Sequence, residues 1–484
     1  MHDSGTGFRP VPHIHVRPSV QVEPLMRTAV PPLRGPASKK GNGVTLTREP
    51  FWKRPLTPRT LAFLFLVLAL TPEVKFRNRD PNAAFSGVPD IQVLIELAIW
   101  GLVAAWVGWH AARGIARGKY RLSTLGLPMA AVLLTTAVVL VTGANALSVR
   151  STIRAFQYIE LVGMTLIVFW EAQNDREFFP VFWRWIRRGM ISFAAFAIVA
   201  TALIPGWMPW TDDNGAIRYT WFEIHPIVTA GMLGLVILML ASIYLQSPDP
   251  LFLRKGWKMA AGALGAVFTF LILQTRSRGS LVATAAAVLI LLLSPRRGRR
   301  RLAAIAAAAI IAASLTFLLA AGSEQVEAWV LRGQTWEQFT TLSQRTELFE
   351  IGGDLFAQEP IFGHGYLLAG PLLRTHYTWA GHAHNVLLEI AISMGSVGVL
   401  AFSFLLIVII ARLWQGTARA PTRRSGLPAE GFAILLLLIG QGVISDGFGG
   451  PVGFETAALM LAALIASQFT RTGQHWHVVA SASP

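Results

Sequence analysis

Apolar residues run unbroken for roughly twenty positions at a time along most of the chain, and short arginine-rich links part the runs. The runs do not alternate polar with apolar, as the strands of a membrane barrel would. A backbone in lipid must satisfy its own hydrogen bonds, so continuous runs of this length predict helices. They fall at about 58–74, 90–111, 123–143, 150–170, 188–206, 224–245, 256–274, 278–294, 302–321, 385–412, 429–446 and 451–470. The expected fold is all-α, a polytopic membrane helical bundle of about 12 transmembrane helices. Other stretches break the pattern. Residues 1–57 are rich in Pro, Gly, Arg and Lys and predict a disordered basic tail in the cytoplasm. Residues 322–384 form one large polar loop, and 471–484 a short second tail. The membrane domain is thus expected over 58–470, loop included.

Composition agrees with the pattern. Hydrophobic residues make up 53% of the 484-residue chain and charged residues only 14%, where a soluble protein carries about a quarter charged. The formal net charge of +16 would suit a nucleic-acid binder. In a membrane protein it reports topology instead, because Lys and Arg collect on the cytoplasmic side. No nucleic-acid partner is expected. With the N-terminus inside, the short inner loops hold Arg113, Arg117, Lys119 and Arg121, then Arg176, Arg184, Arg187 and Arg188, then Arg254, Lys255 and Lys258. The basic runs Arg296–Arg301 and Arg412–Arg424 continue the series. Loops on the other side hold fewer cations over more residues. Both termini are therefore expected in the cytoplasm and the loop 322–384 outside. The chain has no cysteine, which excludes disulfides, thiolate nucleophiles and Cys-bound metals. No P-loop is present, which excludes an ATP-driven flippase as a single-chain reading.

The outward cations change the picture, because they break this bias at the ends of spans. Arg276 and Arg278 sit in QTRSRGS, a link too short to leave the membrane face. Arg218 precedes the run at 224–245, and Arg150 and Arg154 open the run at 150–170. Such cations either snorkel and pair, with Glu160 or Asp446 for instance, or bind a ligand. Guanidinium forks grip phosphate oxygens bidentately, so a gathering on one face points to a phosphorylated lipid.

In the large loop, Glu324, Glu327, Glu337, Glu347, Glu350, Asp354 and Glu359 outnumber the arginines. Arg345 is either their ion-pair partner or a ligand. EPIFGHG reads as a tight turn, with Gly363 and Gly365 supplying unusual backbone angles. Trp329, Trp336, Tyr366, Tyr377 and Trp379 sit at the water boundary, where aromatics either anchor or stack on sugar rings. His376, His382 and His384 crowd ahead of Asn385, a good N-cap for the next span. The positive end of that helix disfavours protonation of a nearby imidazole. It would keep His384 neutral, as a general base must be. The alternatives are a helix-end histidine bonded to backbone and a His–metal site. No HExxH helix or Cys–His spacing supports the metal, so no metal and no cofactor are expected.

At these residues the chain resembles the O-antigen ligase and O-antigen polymerase superfamily of bacterial envelope enzymes. The resemblance rests on the link TRSRGSLVA, on the run from Arg345 to Gly365 ending in PIFGHG, and on HAHNVLLEIAISMGSVG from His382 to Gly398. Spacing and topology agree over about 120–470. The resemblance implies metal-independent glycan transfer at the periplasmic face of the bacterial inner membrane. The donor would be a glycan on undecaprenyl diphosphate. The acceptor would be a lipid A core sugar in a ligase, or another carrier-linked repeat in a polymerase of O-antigen or exopolysaccharide. Membrane lipids and other polysaccharide-assembly proteins would be its partners. The family's motif histidine carries over to His384, as the base, with His382 its competitor in the HAHN pair. Its two motif arginines carry over to Arg218 and Arg278, as diphosphate ligands. Arg276 and Arg345 join them as substrate-binding candidates. A diphosphate leaving group needs its charge stabilised, which arginines can do.

A secondary transporter or polysaccharide exporter is the rival class. Twelve spans suit it, and Glu96, Glu160 and Gln441 within spans would be its polar residues. Transporters, however, bind at the midplane between repeated halves. Here no repeat stands out, and the polar residues gather at one face beside one dominant loop.

Overall fold

The structure is a computed structural model that describes residues 56–74, 91–146, 148–204, 210–211, 217–222, 224–245, 255–293, 324–331, 334–336, 345–377, 380–419 and 426–469. In chain order its helices are α1 (Pro58–Leu70), α2 (Ile91–Ala116), α3 (Leu127–Asn145), α4 (Val149–Asn174) and α5 (Phe178–Leu203). A short antiparallel hairpin follows, with β1 (Trp210–Thr211) on β2 (Ile217–Arg218). Then come α6 (Pro226–Leu245), α7 (Lys255–Gln274) and α8 (Arg278–Leu293). The large loop contributes α9 (Glu324–Leu331), α10 (Arg345–Gln358) and α11 (Ala369–His376). The bundle closes with α12 (Val386–Arg419), α13 (Leu427–Gly442) and α14 (Phe454–Ser467).

Helices α2 to α6 and α12 are long and apolar enough to cross a membrane, and α1, α7, α8, α13 and α14 are shorter apolar helices. Each falls on an expected run. The run expected at about 302–321, both tails and parts of the large loop lie outside the described residues. Proline starts several helices where its missing N–H costs nothing: Pro58, Pro128 and Pro428 stand in first turns. Helix α14 is the axis of the bundle. All of its residues are buried, and it packs on α1, α3, α4, α12 and α13. Its alanines let neighbouring backbones come close.

Helix α5 begins at Phe178, well before the expected 188. Arg184, Arg187 and Arg188 made this stretch look like a loop, but Phe178, Phe179, Phe182 and Trp183 are buried core. Arg187 is itself buried, at 1% exposure. Its Nε donates to Glu430 Oε1 at 2.9 Å, and its Nη2 reaches both Glu430 Oε2 and Ser242 Oγ. Trp183 Nε1 donates to the same carboxylate at 3.1 Å. One carboxylate on α13 thus ties down α5 and, through Arg187, α6. A second pairing joins α2 to α4. Arg154 Nη1 donates to Glu96 Oε1 at 2.9 Å and to Gln157 Oε1 at 2.7 Å, and Gln157 Nε2 donates to Glu96 Oε1 at 2.9 Å. Arg154 is therefore a partner of Glu96, not of Glu160 or Asp446.

Helix α12 is broken. Gly395 adopts φ 62° and ψ −164° inside it, which strips neighbouring backbone groups of their helical partners. The EPIFGHG turn supplies replacements. The N–H groups of His364 and Gly365 donate to the carbonyls of Ile392 and Ser393, at 3.0 and 2.8 Å. The N–H groups of Ser396 and Val397 donate to the carbonyls of Pro360 and Ile361, at 2.8 and 3.2 Å. The fit requires glycine on both sides. A Cβ on Gly363 would meet the Gly395 nitrogen at 2.5 Å, and one on Gly395 would meet the Ile361 oxygen at 2.2 Å. The part of α12 after the break is about 36 Å long at 1.5 Å per residue, enough to cross a bilayer core of about 30 Å. The part before it carries a separate small core, where Leu348 and Leu355 of α10 and Leu373 of α11 meet Ile392.

Candidate active site

The HAHN segment is a compact knot of backbone–side-chain bonds. Asn385 caps α12, its Oδ1 accepting from the N–H groups of Leu387 at 3.0 Å and Leu388 at 3.1 Å. Glu389, buried in the first turn, accepts from the N–H of Ala383 at 2.8 Å. The N–H of His384 donates to His382 Nδ1 at 3.1 Å, which makes that nitrogen the unprotonated one. The two imidazoles lie 3.9 Å apart between ring centres. Within this knot His384 has φ 52°, a left-handed backbone uncommon for a residue with a Cβ.

Three residues act electrostatically on His384. Burial comes first in lowering its affinity for a proton, followed by His382, Arg345 and His225. Desolvation is thus the largest of these causes of the neutral imidazole, beside the helix N-terminus expected from the sequence. Arg345 stands at the first position of α10, where the helix dipole disfavours a cation. His225 lies between β2 and α6, with its Nδ1 accepting from the N–H of Ile227 at 3.3 Å. Asp446, in the α13–α14 link, has its Oδ1 3.9 Å from His382 Nδ1. It also faces Glu389, as does Arg150 at the start of α4.

The arginines of the 275–278 link form a second group. The link between α7 and α8 is a tight corner with Arg276 at φ 52°. Thr275 Oγ1 accepts from the N–H of Ser277 at 3.2 Å, and Ser277 and Ser280 hydroxyls lie 2.6 Å apart. Arg218 is 5% exposed, and its Nε donates to the Thr275 carbonyl at 2.9 Å. The N–H of Tyr219 donates to the Gln274 carbonyl at 2.9 Å. Arg278 reaches into the large loop, its Nη1 donating to the Val330 carbonyl at 2.6 Å. Arg218 and the Arg276–Arg278 link are therefore neighbours. Two bridges connect them to the histidines. One is His225, which follows Arg218 in the chain and acts on His384. The other is the end of α13, where Gln441 accepts from Ser280 at 3.1 Å and Asp446 approaches His382.

One sequence reading changes here. Tyr366 is 2% exposed, packs on Tyr158 and offers its carbonyl to Ser151 at 2.7 Å, so it is core and not a boundary aromatic. Trp329 Nε1 donates to the Leu273 carbonyl at 3.2 Å and Trp336 Nε1 to Glu327 at 2.8 Å. Tyr377 donates to Glu347 at 2.6 Å, a bond that raises its pKa. Trp379 lies outside the described residues. His376 ends α11, and among the described residues no three His, Asp or Glu side chains are placed to hold a metal ion. A cavity of about 440 Å³ opens between α1, α2 and α5, lined by Phe63, Leu66, Ile95, Glu96 and Phe193 among others; none of the motif residues lines it. His225 and Glu389 are site neighbours that sequence reasoning passed over. Their signals were a histidine directly before the proline that opens α6 and a lone carboxyl in the first turn of an apolar helix.

Among known families, a model described as O-antigen ligase matches residues 262–403. The matched region spans the 275–278 link, Arg345, the EPIFGHG turn and the HAHN knot, and it ends past the Gly395 break. It supports the superfamily resemblance and leaves Arg218 and Asp446 outside its bounds. No curated protein matches the chain.

Proposed function

From an O-antigen ligase region at 262–403 in a helical membrane protein, we propose that the chain transfers a glycan from undecaprenyl diphosphate to an acceptor hydroxyl on the periplasmic face. The carrying observation is that one matched region contains both the arginine link and the His384 knot. In the proposed step the acceptor oxygen attacks the anomeric carbon of the donor sugar. The bond from that carbon to the diphosphate oxygen breaks, and the lipid diphosphate leaves with the electron pair. The hydroxyl proton goes to the His384 imidazole. Arg278, Arg218 and Arg276 take the diphosphate charge, with Arg345 acting electrostatically on the base.

A base must be unprotonated, and burial keeps His384 so. The same depression makes it a weak proton acceptor in the resting site. A diphosphate beside Arg345 would offset the arginine's charge and raise the basicity of His384 when donor is bound. The large loop and the twelve-span topology with both termini inside belong to this reading. The acceptor is a lipid A core sugar in the ligase form and a carrier-linked repeat in the polymerase form. Envelope glycans of a deletion strain separate them: a ligase leaves full-length chains unattached to lipid A, whereas a polymerase leaves single repeats.

The test is release of undecaprenyl diphosphate by purified protein supplied with lipid-linked glycan and acceptor, with and without EDTA. Turnover is expected in EDTA. Arg278→Lys keeps the charge but loses the bidentate fork, so it should transfer poorly while accumulating normally in the membrane. Loss of turnover in EDTA would overturn the metal-free step, and full activity of Arg278→Lys would remove that arginine from the donor site.

A further inference from the structure

His384 is held in a left-handed backbone that is strained for a residue with a Cβ, and such a conformation persists only when its surroundings over-determine it. Restraints act on both sides of it. On one side Asn385 caps α12. On the other, Ala383 is pinned through its N–H to Glu389 Oε2 at 2.8 Å. Glu389 is 3% exposed and sits in the first turn of an apolar helix, where a carboxyl is costly unless it has a task. In an ordinary capping box the acid stands three residues after the cap and bonds the cap's own N–H. Here it stands four residues after Asn385 and bonds the residue two before it. The closed loop therefore encloses His384, which a standard box would leave outside.

We infer that Glu389 is the positioning residue of His384: its buried carboxyl holds the Ala383 N–H and so keeps residue 384 in the left-handed backbone that presents the imidazole. The inference rests on His384 being the base proposed above. Asp446 and Arg150 face Glu389, from the α13–α14 link and from α4. His382, Arg345 and His225 face His384. Among the described residues the Ala383 N–H donates to Glu389 Oε2.

The experiment measures glycan transfer by full-length protein across pH 5–8 for wild type, His384→Ala, Glu389→Gln, Glu389→Ala and Glu389→Met. Glutamine keeps an oxygen acceptor of the same reach, so Glu389→Gln should retain most of kcat. Glu389→Ala should lose kcat by about a hundredfold, the usual cost of misplacing a catalytic group by an ångström, with KM little changed. Its residual rate should fall as pH drops through about 6.5, the ordinary histidine value, because a released ring regains water. Wild type should show this fall only at lower pH, because its ring stays buried, and a merely structural defect would not create the shift. Glu389→Met fills the same space without an acceptor and is the variant to measure if Glu389→Ala does not accumulate. Wild-type kcat in Glu389→Ala or Glu389→Met, with His384→Ala inactive, would overturn the inference and leave the function standing. Equal losses in the glutamine and apolar variants would also overturn it, because charge and not the acceptor would then matter. An active His384→Ala would overturn both.

Discussion

Residue 384 combines a strained backbone with a desolvated imidazole, and both have consequences in solution. Its folded pKa lies below the unfolded value of 6.5. A group shifted in this direction contributes stability that is present above the unfolded pKa and lost as pH falls below it. Unfolding in detergent should therefore become easier as pH drops from 7.5 to 5, and His384→Gln should flatten that slope. An unchanged slope would mean that the imidazole is solvated. The place of this histidine directly before an N-cap was legible in the sequence. Its left-handed backbone was not, because that depends on Glu389 and Ala383 closing around it. Nor was the role of Arg154 legible: its partner Glu96 lies 58 residues away on another helix.

At the scale of elements, the break in α12 and the EPIFGHG turn are one feature. The turn carries its own glycine signal in the sequence. The break did not announce itself, since Gly395 in ISMGSVG reads as an ordinary small residue of a span. Only the hydrogen bonds from residues 360–365 show that the two glycines meet. Gly363→Ala tests this. The new methyl would meet backbone at 2.5 Å, and alanine at positive φ is strained besides, at roughly 1–3 kcal/mol. The expected outcome is a lower unfolding temperature and faster proteolysis between α10 and α11. Gly353→Ala, where a Cβ meets nothing within 4 Å, is the control and should be neutral or slightly stabilising. Equal behaviour of the two variants would contradict the fit of the turn into the break. The start of α5 shows the same limit. Arg187 reads as a loop cation until Glu430, 243 residues later, is seen to bury it.

For the whole molecule, apolar run length was the legible quantity, because lipid thickness imposes it directly. How the ends of those runs converge was not, since it is set by contacts between distant helices. The proposed orientation makes a plain prediction: tags within 1–50 and after Pro484 should report cytoplasm, and a tag near Gln344 the opposite side. A cytoplasmic signal at Gln344 would move the site to the wrong face for a periplasmic reaction. The central claim is that His384 takes the proton from the acceptor hydroxyl, a role typically worth about a hundred- to ten-thousand-fold in rate. The most direct measurement is single-turnover transfer from undecaprenyl-diphosphate glycan by His384→Ala, normalised to protein folded in the membrane. The account predicts a rate lower by that factor with normal protein abundance and a milder loss in His382→Ala; near-normal turnover by His384→Ala would contradict it.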